Sequence, residues 1–560
     1  MIRPSTTGVR PPLAQLFLLF FAVALCASPT RSTAEETTSA IRGIVESGLH
    51  PLGHGRIGRY QEPLLHAYER RAFHPLWVSE KLPTAQAKAA IDVFRHADND
   101  GLLPSDYAAE QLSTELQKLT ASAGGATARQ IAAFDVALSV EAMHYASDSY
   151  RGRIDPRRVG LDLVVPPKRI DLGQTLIELA EAKEPVQQIT ALAPPFPAYA
   201  RLKEALRQTR ELAARRDLRP LPALPRLHPG DLDADLPKLR ALLTALGDLA
   251  ADSPAPSDPV IYDEALVAAV RDFQKQHGVD ADGIIGPTTL RQLRVPLAQR
   301  VEQIELGLER LRWLPYDRGE RAIFVNIPEF RLRAFDAGRM SPTLAMNVVV
   351  GSIAKKNPTP ILRADLRYII FRPRWNVPDS ITQKEMLPEM KHNPAKYFQK
   401  NDLEIISRSG EELPLSVDSL EQLSLHSARL RQRPGTKNSL GLVKFVFPNP
   451  NDIYFHDTPS KTLFQRSRRD FSHGCIRVAD PVGLAEFALR GVDGWDRSRI
   501  EGAMQSTDPK KIDVRVGIKS PVAVYVLYTT VVADEDGKVI FLDDIYGHDA
   551  KLIPLLIRGA

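Results

Sequence analysis

At Ala322 the spacing of apolar residues along this chain changes from three-and-four to two. That switch separates what can fold as helix from what must fold as sheet. Upstream, Ile131, Phe134, Leu138 and Ala142 mark one helical face. Leu236, Leu239, Leu242, Leu243 and Leu246 mark a second, and Leu266, Ala269, Val270 and Phe273 a third. Downstream, residues 322–327, 331–335, 344–350, 367–371, 442–447 and 452–456 are rich in Val, Ile and aromatics and read as strands. A helix is predicted over 481–489, and a late hairpin over 522–542 around Asp534-Glu-Asp-Gly537. Between residues 380 and 431 the alternation lapses into polar, helix-prone stretches, 383–399 and 416–431.

Prolines punctuate the helical part. Pro194, Pro195 and Pro197, then Pro220, Pro222, Pro225 and Pro229, bracket a helical stretch and mark linkers. Asp98-Asn-Asp-Gly101 mimics a calcium loop. Aligning Gly101 at the sixth position puts His96 first and Tyr107 last, both wrong for such a loop, so it reads as a turn.

A chain of 560 residues has room for two to four domains. Its formal charge of +5, from 73 basic and 68 acidic residues, is too small to argue for nucleic acid. At the N-terminus Arg3 and Arg10 precede the apolar run 16–25 and then small residues through Ala34, with a candidate cleavage site at Ser32-Thr-Ala34. That is the pattern of an export signal, and uncleaved it would serve as an inner-membrane anchor. No later run approaches the roughly 20 apolar residues of a spanning helix.

Two cysteines are present, Cys26 in the export segment and Cys475. A lone thiol in an oxidising compartment suggests a task other than cross-linking. Cys475 lies in Phe471-Ser-His-Gly-Cys-Ile-Arg-Val478, and His456 precedes it by nineteen positions. Histidine is the usual base near neutral pH for generating a thiolate nucleophile. Gly474 permits a tight turn. Arg466, Arg468, Arg469 and Arg477 crowd the segment with positive charge, which favours thiolate and attracts carboxylates. Metal-protease, serine penicillin-binding and papain-type patterns fail. There is no His-Glu-x-x-His, Ser352-Ile-Ala-Lys355 lacks its companion motifs, and Cys-Gly-Ser-Cys-Trp is absent. No metal or cofactor is implied.

His456, fifteen residues, then Ser472-His473-Gly474-Cys475 resembles the signature of the YkuD-type L,D-transpeptidases. Arg312-Trp-Leu-Pro315, Val325-Asn-Ile-Pro328, Arg431-Gln-Arg-Pro-Gly435, Asn438-Ser-Leu-Gly441, Lys444-Phe445, Phe447-Pro-Asn449 and His456-Asp-Thr-Pro459 resemble the large periplasmic, YcbB-like subfamily. Ala269-Val-Arg-Asp-Phe-Gln274, His277-Gly278 and Asp282-Gly283 with Thr289 resemble a three-helix peptidoglycan-binding domain. The resemblance implies a multidomain α+β protein: a signal peptide or anchor over 1–34, a flexible leader over 35–56 and a helical scaffold domain over 57–225. A peptidoglycan-binding-like domain follows over 226–296. Next come a mainly β catalytic domain over 310–505, with a helical lid insertion at about 380–431, and a C-terminal β hairpin region over 506–560.

It also implies a periplasmic enzyme that forms 3→3 cross-links between peptidoglycan stem peptides. Cys475 attacks the carbonyl at the L-centre of the donor tetrapeptide's third residue, meso-diaminopimelate, whose side chain carries an amine and a carboxylate. The terminal D-alanine leaves, and an acceptor amine takes the acyl group. His456 is the base, oriented by the backbone carbonyl of Asp457. Gly474 and His473 shape the turn and oxyanion hole, and Arg477, Tyr454 and Trp375 contact substrate. Carbapenems are implied as covalent inhibitors. Water as acceptor would make the site a carboxypeptidase, lipoprotein attachment is a further acceptor choice, and a lapsed site would leave a wall-binding scaffold.

Overall fold

The computed structural model describes residues 33–558 apart from 123, 160–167, 219–220, 255, 318, 340 and 391. The apolar run of the export segment lies outside the described residues.

The N-terminal third packs around the 24-residue helix Ala128–Arg151. A capping box starts it: Thr127 accepts from the Gln130 backbone, and the Gln130 side chain accepts from the Thr127 backbone. Ile131, Phe134, Leu138 and Ala142, the predicted face, are all buried. Asp135 is wholly buried and serves as an internal knot, accepting from Leu76 N–H, Trp77 N–H and the Tyr68 hydroxyl. The predicted flexible leader is different. Residues Thr33–Ser47 form a helix whose Ile41 and Val45 are fully buried in the same core as helix Ala128–Arg151. Asp98–Gly101 is the expected turn, with Gly101 left-handed at φ +67°.

Three helices, Leu236–Leu246, Glu264–Gln276 and Pro287–Leu293, make the next unit. Its core is Leu236, Leu239, Leu243, Leu266, Val270, Phe273 and Ile285. The buried amide of Gln274 ties down the connecting loop, donating to Asp282, the Ile284 carbonyl and Thr289 and accepting from Gly283 N–H. The proline-bracketed stretch is more than a linker. Its helix Pro197–Ala214 packs on helix Leu297–Arg312 and on Val531 and Ala533. Arg312, fully buried, bonds Glu309, the Tyr199 hydroxyl and the Asp100 carbonyl, so three segments meet on one guanidinium.

The catalytic-motif region is a closed sheet. In chain order its strands are β1 Arg321–Asn326, β2 Arg331–Asp336, β3 Leu344–Gly351, β4 Leu362–Phe371 and β5 Val443–Val446. Then come β6 Phe455–His456, β7 Asp470–Ser472, β8 Ile476–Val478 and β9 Val514–Leu527. Spatially they run β3-β8-β6-β5-β4-β9-β1-β2, and β2 pairs back to β3, closing the ring; β7 adds parallel to β3. Val325, Val348, Phe371, Phe445, Phe455, Ile476 and Val524 fill the interior, and helix Pro481–Leu489 covers it with Leu484 and Ala488.

Two boundaries differ from the expectation. The barrel needs β9, so residues beyond 505 belong to it. The hairpin itself is only Val531–Ala533 with Val539–Phe541. The insertion is not purely helical either. It holds a four-stranded sheet that includes Leu403–Ser407 and Ala428–Gln432. The predicted helix over 383–399 is broken into a π turn Thr382–Met386 and short helices Leu387–Met390 and Pro394–Asn401. Pro388 and Pro394 account for the breaks, since proline lacks the N–H a continuing helix needs.

If helix Thr33–Ser47 is part of the scaffold core, Ile41→Ala costs about 2–4 kcal/mol in urea denaturation. A mobile leader would give a change within about 0.5 kcal/mol.

Candidate active site

Strand register assembles the site. β6 lies between β5, antiparallel, and β8, parallel: Lys444 pairs with His456, and His456 pairs with Arg477. Partners across a sheet share a face. Phe445, Phe455 and Ile476 point into the barrel. Lys444, His456 and Arg477 therefore stand in a row on the outer face, with Tyr454 and Cys475 one tier along. Strand geometry puts the His456 and Cys475 Cα atoms roughly 8 Å apart.

His456 is buried, and its Nδ1 donates to the Asp457 carbonyl at 2.5 Å. That bond selects the tautomer and leaves Nε2 as acceptor. Burial, then the charges of Arg477 and Lys444, pushes the imidazole down to about 3. The Asp457 carboxylate is occupied, accepting from Leu442 N–H at 2.9 Å and Lys461 Nζ at 2.6 Å. It is a structural clip for the strand ends.

Cys475 is half-buried and free. Its Sγ lies 3.8 Å from the Asp452 carbonyl. Burial pushes the thiol above its ordinary value near 9, while the backbone and hydroxyl of Tyr454 and the charge of Lys444 pull the other way. The resting pair is thus neutral thiol and neutral imidazole.

The turn before the cysteine is fixed by Ser472. Its Oγ donates to the Cys475 carbonyl at 2.6 Å and accepts from Gly474 N–H at 3.2 Å. Gly474, at φ +110°, adopts a conformation that side chains disfavour, and its carbonyl accepts from Thr359 Oγ1 at 2.7 Å.

Three family models match the chain: "Scaffold domain" over residues 62–206, "Putative peptidoglycan binding domain" over 233–293, and "L,D-transpeptidase catalytic domain" over 320–508. Residues 320–508 are a YkuD L,D-transpeptidase catalytic domain. A Haemophilus influenzae protein named "Putative L,D-transpeptidase" is 32% identical over 253 residues, which is 45% of this chain and 49% of that protein. The chain thus spans about half the length of that curated relative. Two solved structures are also similar: an L,D-transpeptidase from Xylanimonas cellulosilytica and a fused Zn-dependent amidase/peptidase/peptidoglycan-binding domain-containing protein from Clostridium acetobutylicum. The first is 14% identical, covering 55% of this chain and 99% of its own, with TM-score 0.15. The second is 12% identical, covering 55% and 100%, with TM-score 0.16. At those scores neither bears on the fold.

Within the L,D-transpeptidase domain the sequence-selected residues fall differently. His456, Cys475, Tyr454 and Arg477 share one face. His473 turns outward, its Nε2 2.5 Å from Glu385 Oε1 on the π turn of the insertion. Trp375 pairs with Gln432 and packs against the insertion's own core. Gly474 N–H is already taken by Ser472, so Cys475 N–H is the remaining donor of that pair for an oxyanion. The arginine cluster is mostly spoken for: Arg468 pairs with Asp470, Arg469 is held by backbone carbonyls including Phe330, and Arg466 lies over the Phe471 ring. Arg477 is electrostatically coupled to the thiol. Lys444 entered the sequence reading only as part of a family-like dipeptide with no role assigned, and Glu385 escaped it. An isolated lysine between buried Val443 and Phe445 was the available signal for the first; Glu385 had none.

Because burial favours the protonated thiol, iodoacetamide labelling of Cys475 is expected to rise about tenfold per pH unit through pH 8, with no inflection near pH 6–7. A plateau at pH 7 would mean a preformed thiolate–imidazolium pair.

Proposed function

We propose that this protein is a peptidoglycan L,D-transpeptidase that makes 3→3 cross-links through a thioester on Cys475. The observation that carries this reading is His456: its Nδ1 is locked on the Asp457 carbonyl and its acceptor nitrogen is free, on the strand beside the thiol. The substrate class rests on the catalytic and peptidoglycan-binding domain matches. Export rests on the basic and apolar N-terminal pattern. Among the described residues no helix is long and apolar enough to cross a membrane.

Rotation about the cysteine side chain brings Sγ from the Asp452 carbonyl toward His456 Nε2. As Sγ attacks the carbonyl of the donor's third residue, Nε2 takes the thiol proton, so no free thiolate accumulates. The oxyanion is met by Cys475 N–H, a contribution of a few kcal/mol. The C–N bond to D-alanine breaks, and imidazolium returns the proton to the leaving amine. An acceptor amine then attacks the thioester, its proton passes to His456, and the thiol is regenerated. Arg477 receives a substrate carboxylate, while Tyr454 lines the pocket. The insertion, which bears Glu385 and packs against Trp375, covers the cleft and limits water, which favours amine over hydrolysis. Carbapenems would acylate the same sulfur.

Incubating the protein with disaccharide-tetrapeptide and resolving products by mass tests the reaction. Dimer with released D-alanine is expected; tripeptide alone would make it a carboxypeptidase, and unchanged substrate would remove the proposal. His456→Ala should lower the rate by about 10²–10⁴-fold.

A further inference from the structure

Two cations at the site are without carboxylate partners. Arg477 has a buried Nε with no acceptor and forms no salt bridge among the described residues. Lys444 likewise forms none; its Nζ sits 3.7 Å over the Tyr454 ring. Neighbouring cations are neutralised, Lys461 by Asp457 and Arg468 by Asp470. The acidic groups whose charge Lys444 feels are Cys475, Asp452, which forms no ion pair with it, and Asp513, which is paired with Arg374. A buried donor left unfilled, as Arg477 Nε is, and a part-buried charge with no counter-ion, as on Lys444, are costly unless something else completes them.

Their placement says what that is. Register puts one on each side of His456. During acyl transfer His456 must hold a proton, and an imidazolium between two unneutralised cations is disfavoured. An anion seated against them would remove that repulsion.

Resting on the acyl-transfer reading above, we propose that Lys444 acts with Arg477 as the receptor for a free carboxylate of the donor peptide. Binding that carboxylate is what lets His456 accept the thiol proton. Two donor groups have the required chemistry: the side-chain carboxylate of the third residue and the C-terminal carboxylate. The site is therefore completed by its substrate, and a donor lacking the group binds without being processed efficiently.

The test compares three synthetic tetrapeptide donors: both carboxylates free, the side-chain carboxylate amidated, and the terminal carboxylate amidated. Each is assayed with wild type, Lys444→Met and Lys444→Arg, separating kcat from KM, with thermal melts of each variant. Wild type should lose roughly 10–100-fold in kcat/KM on one amidated donor, mainly in kcat, and the donor affected identifies the group. Lys444→Met should bring that preference close to one, and Lys444→Arg should keep most of it. Wild-type indifference to both amidations would overturn the proposal, as would a Lys444→Met variant that melts normally and slows all three donors equally. No turnover of any donor by wild type would overturn the acyl-transfer reading and this inference with it.

Discussion

A two-residue strand, Phe455–His456, wedged between two longer neighbours, governs this catalytic face. Its pairing with β5 and β8 fixes which side chains stand beside the imidazole, and the next peptide, Asp457, turns its carbonyl back to hold Nδ1. The Asp457 carboxylate pins that turn by bonding Leu442 N–H and Lys461. A one-residue slip of β6 would put Phe455 outside and His456 in the apolar interior. The closed barrel prevents this, because Phe445, Phe455 and Ile476 are packed together on the inner side.

Given that frame, electrostatics makes the resting site quiet. Burial keeps both the thiol and the imidazole neutral, and two unpaired cations oppose protonation of the histidine. Such an arrangement suits an enzyme exposed to small nucleophiles and oxidants, since reactivity depends on the thiolate fraction. The insertion touches the motif directly through Glu385 and His473. The contact comes from a π turn, a geometry that recurs at functional sites.

Much of this was legible from the residues. The His456–Cys475 spacing and the glycine turn were readable because they are local in sequence, and the Asp457 carbonyl followed from the family resemblance. Lys444 was not singled out because its role depends on which strands pair, and pairing between residues 444, 456 and 477 is a long-range property. Strand β9 was read short because Gly517 and Pro521 interrupt its alternation, and the register shifts there, between Gly517 and Val522. Helix Thr33–Ser47 was hidden by its polar composition: only Ala40, Ile41, Ile44 and Val45 are apolar in its central turns, yet they lie on one face. The insertion's strand Leu403–Ser407 was missed because helix-prone residues flank it closely.

The acyl-enzyme itself is the most direct test. Quenching turnover in acid and weighing the intact protein should reveal one added tripeptidyl group, located on the peptide containing Cys475 and released by hydroxylamine as a thioester is. An adduct on another residue, or turnover that continues in Cys475→Ala, would contradict the account.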